Sequence, residues 1–173
     1  MKLCIAEKPS VAKEIAAILN ANNRKDGYFE GNGFYVSWTF GHLCTLKAPD
    51  DYKPEWKRWD ISTLPMIPEK FGIKLIEQKS IEKQFNTITF LIDKSEEVIK
   101  LVVMPALRRT GYWNVVLLKA NCKLPLKRLW ISSLTEEALK EGFNNLKNGN
   151  DYDKLYSAGN ARAIGDWLLG MNA

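Results

Sequence analysis

Histidine and cysteine are scarce in this sequence. One histidine and three cysteines occur in 173 residues, and no two cysteines form a Cys-x-x-Cys pair. A structural zinc site needs about four such ligands at close spacing, so the sequence weighs against one. The cysteines are widely separated and stand among apolar neighbours, which predicts reduced thiols in the core; they are Cys4, Cys44 and Cys122.

Long hydrophobic runs are also missing. The longest candidate, residues 98–118, is interrupted by lysine, proline, arginine and asparagine. A membrane-spanning helix needs roughly 20 predominantly apolar residues, so none is expected. The apolar run before Glu7 is too short for a signal peptide. We therefore expect a cytoplasmic protein without a membrane partner.

Charge is present but not extreme. The chain has 25 basic and 20 acidic residues, a net charge of +5, and 46% apolar residues. This composition is typical of a folded domain and excludes a disordered tail or a coiled coil. The length allows one domain, or one domain and the start of a second. Two explanations of the positive charge stay open, namely ordinary solubility and a polyanionic partner such as nucleic acid.

Strand and helix patterns alternate along the chain. Residues 2–6 predict a strand, and Pro9 opens a helical pattern directly after it. Thr135, followed by two glutamates, predicts a helix start. The remaining predictions are a polar turn at 20–27, a hairpin over 28–46, an ordered loop at 48–68, strands near 72–77, 98–103 and 128–132, and helices over 81–92, 111–122, 136–149 and 153–169. The alternation predicts an α/β fold, with a mostly parallel sheet and helices on both faces.

Glu7 and Lys8 follow the first predicted strand and precede a helix. Ligands of α/β sheets bind beyond the carboxyl ends of the strands. A carboxylate there can bind Mg²⁺ or transfer a proton, and a lysine can contact a phosphate. From spacing alone, a solvated pair of charges in a turn is equally compatible with the sequence.

The single histidine, His42, follows Gly41 at the end of a predicted strand. The glycine indicates an unusual backbone conformation or the close approach of a ligand. A structural histidine is the alternative interpretation.

Arg162 and Asp166 are four residues apart and share one face of the last predicted helix. The pair is either an exposed ion pair or an arginine that a carboxylate holds for phosphate contact.

Aromatic and basic residues alternate at 56–59, with tryptophans at both ends, and recur at Lys127, Arg128 and Trp130. Surfaces that bind single-stranded nucleic acid have this composition. Tryptophans that anchor a loop on the core would give the same pattern.

Six segments together resemble the type IA DNA topoisomerases, in their bacterial topoisomerase III branch. They are MKLCIAEKPSVAKEIAAILN (1–20), VSWTFGHL (36–43), WKRWDISTLPMIP (56–68), KQFN (83–86), RLWISSLTEEAL (128–139) and ARAIGDWLLGMNA (161–173). The resemblance implies a Toprim domain over residues 1–150 and the start of a helical DNA-binding domain over 151–173. It also implies Mg²⁺ as cofactor, single-stranded DNA as partner, and further C-terminal domains of the same enzyme.

The resemblance implies a role for each matching residue. Glu7 corresponds to the family's Toprim glutamate, which assists proton transfer at the scissile phosphate and lies near the metal. Lys8 corresponds to a lysine that contacts this phosphate, and His42 lies beside the active site. Arg162 and Asp166 correspond to positions on a helix that lines the groove for single-stranded DNA. The family cuts one DNA strand through a tyrosine, passes another strand through the gap and reseals it.

The sequence departs from the family in two respects. The nucleophilic tyrosine belongs to a later domain, so no tyrosine of this chain is assigned that role. The family also has an acidic cluster, Asp-x-Asp-x-Glu, after the strand that begins here at Val98. This chain has no acidic residue between Glu97 and Glu136. Because Mg²⁺ prefers carboxylates, Glu7 alone is a poor site, and we expect this chain to be catalytically inactive by itself.

A shifted reading frame is one explanation for the missing acids. With suitable codons, the nucleotides that encode residues 101–106, translated from the third base, give Cys-Gly-Asp-Ala-Gly. Residues 108–115 read one base later give Glu-Gly-Leu-Val-Ile-Gly-Thr-Trp. Both peptides resemble the family's acidic segment, and the flanking sequence stays in frame. The other explanation is a decayed or repurposed copy that has lost its metal site.

Overall fold

The computed structural model describes residues 1–103, 110–149 and 153–173. These ranges contain nine strands and five α-helices. The strands are β1 Lys2–Ala6, β2 Asn23–Lys25, β3 Tyr28–Gly31, β4 Phe34–Trp38, β5 Cys44–Leu46, β6 Ile73–Leu75, β7 Glu97–Val103, β8 Leu126–Ile131 and β9 Lys147–Asn148. The helices are α1 Pro9–Ile18, α2 Lys79–Asp93, α3 Thr110–Lys119, α4 Glu136–Asn144 and α5 Asp153–Asn172.

Seven strands form one mixed sheet in the order β2-β3-β4-β1-β7-β8-β9. The four central strands β4, β1, β7 and β8 run parallel, with Ala6 opposite Trp38 and Ile5 opposite Lys100. The flanking strands β2, β3 and β9 pair antiparallel. The predicted α/β fold with a mostly parallel sheet is confirmed.

Helices cover both faces of this sheet, as predicted. Successive side chains of a strand point to opposite faces, so the apolar strand β1 contributes to two cores. Leu3 and Ile5 lie in the core formed with α2 and α3. Cys4 and Ala6 lie in the core formed with α1 and α4. The central strands are therefore buried on both sides.

The starts of α1 and α4 follow from local sequence. Pro9 occupies the first turn of α1, where its fixed φ angle suits a helix and its missing N–H costs nothing. Thr135 caps α4, because its hydroxyl oxygen accepts a hydrogen bond from the Ala138 N–H at 3.3 Å. The predicted helix start at Thr135 is confirmed.

A second, two-stranded sheet pairs β5 with β6. The hairpin predicted over 28–46 is therefore confined to β3 and β4, and its final part belongs to the second sheet. Short 3-10 turns at Pro49–Asp51, Pro54–Lys57 and Ile61–Thr63 fill the predicted ordered loop.

The last helix is anchored to this loop region through Trp167. Its indole packs edge-on against Phe71 and Tyr52, with ring centroids 5.3 and 6.1 Å apart, and its Nε1 donates to the Lys47 carbonyl at 3.0 Å. α5 also packs against α3. It ends at Asn172, three residues beyond the predicted end. The domain boundary predicted between residues 150 and 151 lies outside the described residues and stays a prediction.

Two local predictions are wrong. Residues 20–27 contain the edge strand β2, whose exposed polar side chains carry no apolar alternation that would reveal a strand. The helix predicted to end at Gly149 ends at Asn144, and the chain then forms β9 beside β8. Gly149 instead permits close approach to β8, because a Cβ there would lie 2.7 Å from the Leu126 Cβ.

The cysteine prediction holds for two residues out of three. All three are free thiols; Cys4 and Cys44 are buried, whereas Cys122 is half-buried. Burial raises the pKa of Cys4 to about 12 and that of Cys44 to about 11. Among the described residues, no helix is both long and apolar enough to cross a membrane.

Candidate functional site

Two neighbouring parallel strands bring Glu7 and His42 to the same edge of the sheet. Glu7 follows β1, and His42 lies four residues after the end of β4. The Gly41 N–H donates to the Glu7 carbonyl at 3.1 Å, which joins the two segments beyond the paired strands. Gly41 has a φ angle of +88°, a conformation that side chains disfavour. The glycine expected beside His42 therefore has a backbone role.

The side chains at this edge differ in exposure. Glu7 is half-buried, whereas Lys8 and His42 are exposed. Lys8 occupies the N-cap of α1, and its side chain makes no capping hydrogen bond. The first N–H groups of a helix and its dipole favour an anion at this end. A carboxylate, two basic side chains and a helix start thus surround one end of the sheet.

A buried glutamine of α2 fixes the end of β4. Gln84 is 4% exposed, and its Nε2 donates to the carbonyls of Trp38 and Gly27 at 2.8 and 3.1 Å and to the Ser37 hydroxyl at 3.0 Å. The end of β4 leads directly to His42. Gln84 therefore positions the segment that carries the histidine, a role that the sequence analysis did not assign. Its position within the apolar stripe of α2 was the available signal.

The third central strand, β7, brings basic rather than acidic groups to the α3 side of the sheet. Lys100 is 7% exposed, and its Nζ donates to the Asn114 side-chain oxygen at 2.6 Å. Arg128 of β8 lies opposite Lys100 in the sheet register and is 5% exposed. Its guanidinium lies 4.8 Å from the centre of the Trp130 ring. These contacts support the interpretation that Arg128 and Trp130 pack on the core rather than form a surface for single-stranded nucleic acid.

The donor set does not fit Mg²⁺. No group of three or more histidine, cysteine, aspartate or glutamate side chains is placed to bind a metal within residues 1–103, 110–149 and 153–173. The segment 104–109, which follows β7, lies outside the described residues, and its sequence contains no acid. Glu7 is the single carboxylate that the sequence predicts as a metal ligand, and a hard divalent cation prefers several.

Comparison with known proteins identifies the fold. Residues 2–102 match the family model of the Toprim domain. The chain belongs to the Toprim family. The matched segment begins with β1 and ends in β7, so it includes Glu7, Lys8 and His42.

Relatives of the whole chain are similar in sequence and much longer. The chain is 41% identical to DNA topoisomerase 3 of Shouchella clausii, 43% to that of Staphylococcus saprophyticus and 42% to that of Bacillus cereus. These matches cover 98–99% of this chain but 23–24% of the relatives. The resemblance to topoisomerase III noted in the sequence is thus confirmed over nearly the whole chain.

The remaining predicted site residues lie on α5, after the matched Toprim segment. The Arg162 Nε and an Asp166 carboxylate oxygen are 3.7 Å apart, and their side chains are 66% and 70% exposed. The contacts that anchor α5 involve Trp167 and α3. No hydrogen bond or ion pair between described residues joins the Arg162–Asp166 pair to Glu7. An exposed ion pair of this kind adds little to stability.

The tryptophans of the basic loop differ from each other. Trp56 is 8% exposed and packs with Tyr52, which matches the interpretation of a loop anchor. Trp59 is 64% exposed. The loop therefore combines one anchor with one aromatic ring that faces solvent.

Proposed function

We propose that this chain acts as the N-terminal Toprim part of a type IA DNA topoisomerase that binds single-stranded DNA. The observation that carries the proposal is the 41–43% identity to DNA topoisomerase 3 along almost all of the chain. Cleavage, strand passage and religation would require further domains of the same enzyme, including the one that bears the nucleophilic tyrosine. No tyrosine of this chain is proposed as the nucleophile.

In this proposal a DNA phosphate binds at the sheet edge that carries Glu7, Lys8 and His42, here called the Toprim edge. Lys8 supplies a cation at the start of α1, where the helix N-terminus also favours an anion. Glu7 is the candidate for proton transfer at the scissile phosphate, and His42 is a candidate DNA contact beside it. Arg162 and Asp166 of α5 are proposed to line the path of the strand, and residues 151–173 are proposed to begin the next domain. A protein that binds DNA in this way is expected in the cytoplasm.

Catalysis by this chain alone is not part of the proposal. The resemblance to type IA topoisomerases implies Mg²⁺, but this chain has no acidic residue between Glu97 and Glu136, the segment where the family has its acidic cluster. We therefore propose that the chain as printed binds DNA without a divalent cation and does not cut it. The absence of acids between Glu97 and Glu136 also favours a second candidate, a non-catalytic DNA-binding module with a Toprim fold.

Binding of a labelled oligothymidylate, measured by fluorescence anisotropy, tests both candidates. We expect the affinity to fall with salt, because phosphate contacts release counterions. Replacing Mg²⁺ by EDTA at matched ionic strength should leave the affinity unchanged. Failure to bind would contradict both candidates. Mg²⁺-dependent binding that the Glu7→Gln variant loses would contradict the proposed loss of the metal site.

The sequence of the encoding gene separates the two candidates. An acidic cluster in a shifted frame at codons 101–115, with an open frame that continues to a tyrosine domain, would support the topoisomerase. The printed residues followed by a stop codon would support the non-catalytic module.

A further inference from the structure

The loop residues 57–59 and the C-terminal end of α5 meet at the surface, although they lie more than 100 residues apart in the chain. Trp59 is its most prominent side chain. The neighbouring Trp56 is buried and has the Lys53 ammonium 5.1 Å from its ring centre. Trp59, by contrast, leaves 64% of its surface in solvent. An exposed indole offers an aromatic face on which a nucleic-acid base can stack.

The Trp59 ring is held in place although it is exposed. Its Nε1 donates to the Met171 carbonyl, in the last turn of α5, at 2.9 Å. That turn is itself fixed to the loop, because the Met66 N–H donates to the Asn172 side-chain oxygen at 2.6 Å and the Asn172 amide donates back to the Met66 carbonyl at 3.2 Å. A ring oriented in advance loses little conformational freedom when a ligand stacks on it.

Two exposed cations immediately precede Trp59 in the sequence. Lys57 and Arg58 are exposed, and neither forms an ion pair in the part of the chain that the structure describes. The adjacent carboxylate, Asp60, accepts hydrogen bonds from the Ser62 N–H and hydroxyl at 2.8 and 2.6 Å, so it is bonded within its own turn. Asp60 is therefore not available as an ion-pair partner for these two cations, in contrast to Asp26, which pairs with Lys83 at 2.6 Å.

We propose that Trp59, Lys57 and Arg58 form a stacking site for one base of single-stranded nucleic acid, with the two cations on the flanking phosphates. This inference rests on the proposed function and adds a contact at residues 57–59 to those proposed for Glu7, Lys8 and His42. The combination of a fixed indole with unpaired cations favours a nucleic acid over a protein partner, although Ile61 and Ile67 nearby are also exposed. A protein-docking surface is the outcome that the test must distinguish.

The test measures oligothymidylate affinity of the whole chain and three variants by fluorescence anisotropy. Trp59→Leu keeps an apolar side chain but removes the aromatic face, so we expect affinity to fall at least about fivefold. Trp59→Phe loses the same Nε1 hydrogen bond but keeps an aromatic face, so its affinity should fall clearly less than that of Trp59→Leu. Phe90→Leu is the matched control, because Phe90 is 47% exposed and has the Lys94 ammonium 4.3 Å from its ring centre. Its affinity should not change.

An abasic oligomer and the salt dependence complete the test. The abasic strand offers no base to stack, so the parent chain and Trp59→Leu should bind it equally. The double variant Lys57→Gln, Arg58→Gln should reduce the slope of log affinity against log salt by about 1.4, which corresponds to two phosphates on a single strand. Equal oligothymidylate binding by the parent and Trp59→Leu would overturn the inference, leave the proposed function intact and leave protein docking as the other interpretation of this surface. No binding by the parent chain would overturn both.

Discussion

Replacing Gln84 by methionine tests whether the buried network at the end of β4 stabilises the fold. Methionine has a similar length and removes both N–H donors. The Gly27 carbonyl still accepts from the Ser37 hydroxyl at 2.9 Å, whereas the Trp38 carbonyl loses the Gln84 donor. The Gln84 amide carries two hydrogens, so it makes the equivalent of two hydrogen bonds to its three acceptors. At about 1 kcal/mol each, their loss predicts a decrease of about 2 kcal/mol in the free energy of unfolding. For a chain of this size, that corresponds to a fall in Tm of about 4–8 °C.

Urea denaturation followed by circular dichroism measures this loss. The matched control is Gln78→Met, because Gln78 is exposed at the N-cap of the same helix and its side chain makes no capping hydrogen bond. We expect the control to change stability by less than about 0.5 kcal/mol. If Gln84→Met is as stable as the control, the network contributes no net stability and the assigned positioning role is refuted. Faster amide exchange at Thr39, whose N–H donates to the Ala6 carbonyl at 3.0 Å, would show that the perturbation reaches the site.

Two further predictions concern the caps and the thiols. Thr135→Ala should lower the free energy of unfolding by about 1 kcal/mol, since the Ala138 N–H loses its cap acceptor. Thr135→Ser keeps the hydroxyl and should retain most of the stability of the parent chain. An alanine variant as stable as the parent would contradict the assignment of the cap. In the native protein, Cys122 should react with a thiol reagent before Cys4 and Cys44, because burial keeps those two thiols protonated. The raised folded pKa of Cys4 also predicts a pH dependence. The contribution of this thiol to the free energy of unfolding is fully present below the unfolded pKa of 9.0 and declines as pH rises toward about 12, because unfolding releases a proton in this range. A Cys4→Ala variant with the same alkaline decline would show that another group is responsible.

Local sequence was informative wherever one segment determines its own structure. The strand before Pro9 and the helix after it could be predicted because a short apolar run, a turn and a helical stripe follow one another. The start of α4 could be predicted because Thr135 and two glutamates satisfy the first turn. These signals depend on neighbours in the sequence and require no knowledge of the sheet.

Features that depend on distant partners could not be predicted. β9 has two residues and gains its structure from β8, while the apolar Leu146 extends the helical pattern past the true end of α4. β5 pairs with β6 across the intervening loop, which a hairpin pattern does not reveal. Likewise, Lys100 lies within an apolar run, and its burial follows from the Asn114 side chain of α3.

The candidate site was predictable in part for the same reason. Glu7 and His42 meet because each follows a parallel strand, and this requires only the fold class. The exposure of Trp59 depends instead on the final turn of α5, which lies more than 100 residues later in the chain. Composition alone assigned the same role to Trp56 and Trp59, and tertiary packing separates them.

The place of β1 at the centre of the sheet has a consequence for synthesis on the ribosome. β1 is made well before β7, one of its neighbours in the sheet, which is complete only at Val103. At about 5–20 residues per second, the nascent β1 waits roughly 5–20 s for that partner. During this interval its apolar edge is open to incorrect pairing with other chains. A translational pause before codon 103 should therefore increase aggregation, whereas a pause after codon 131, when β8 is complete, should not.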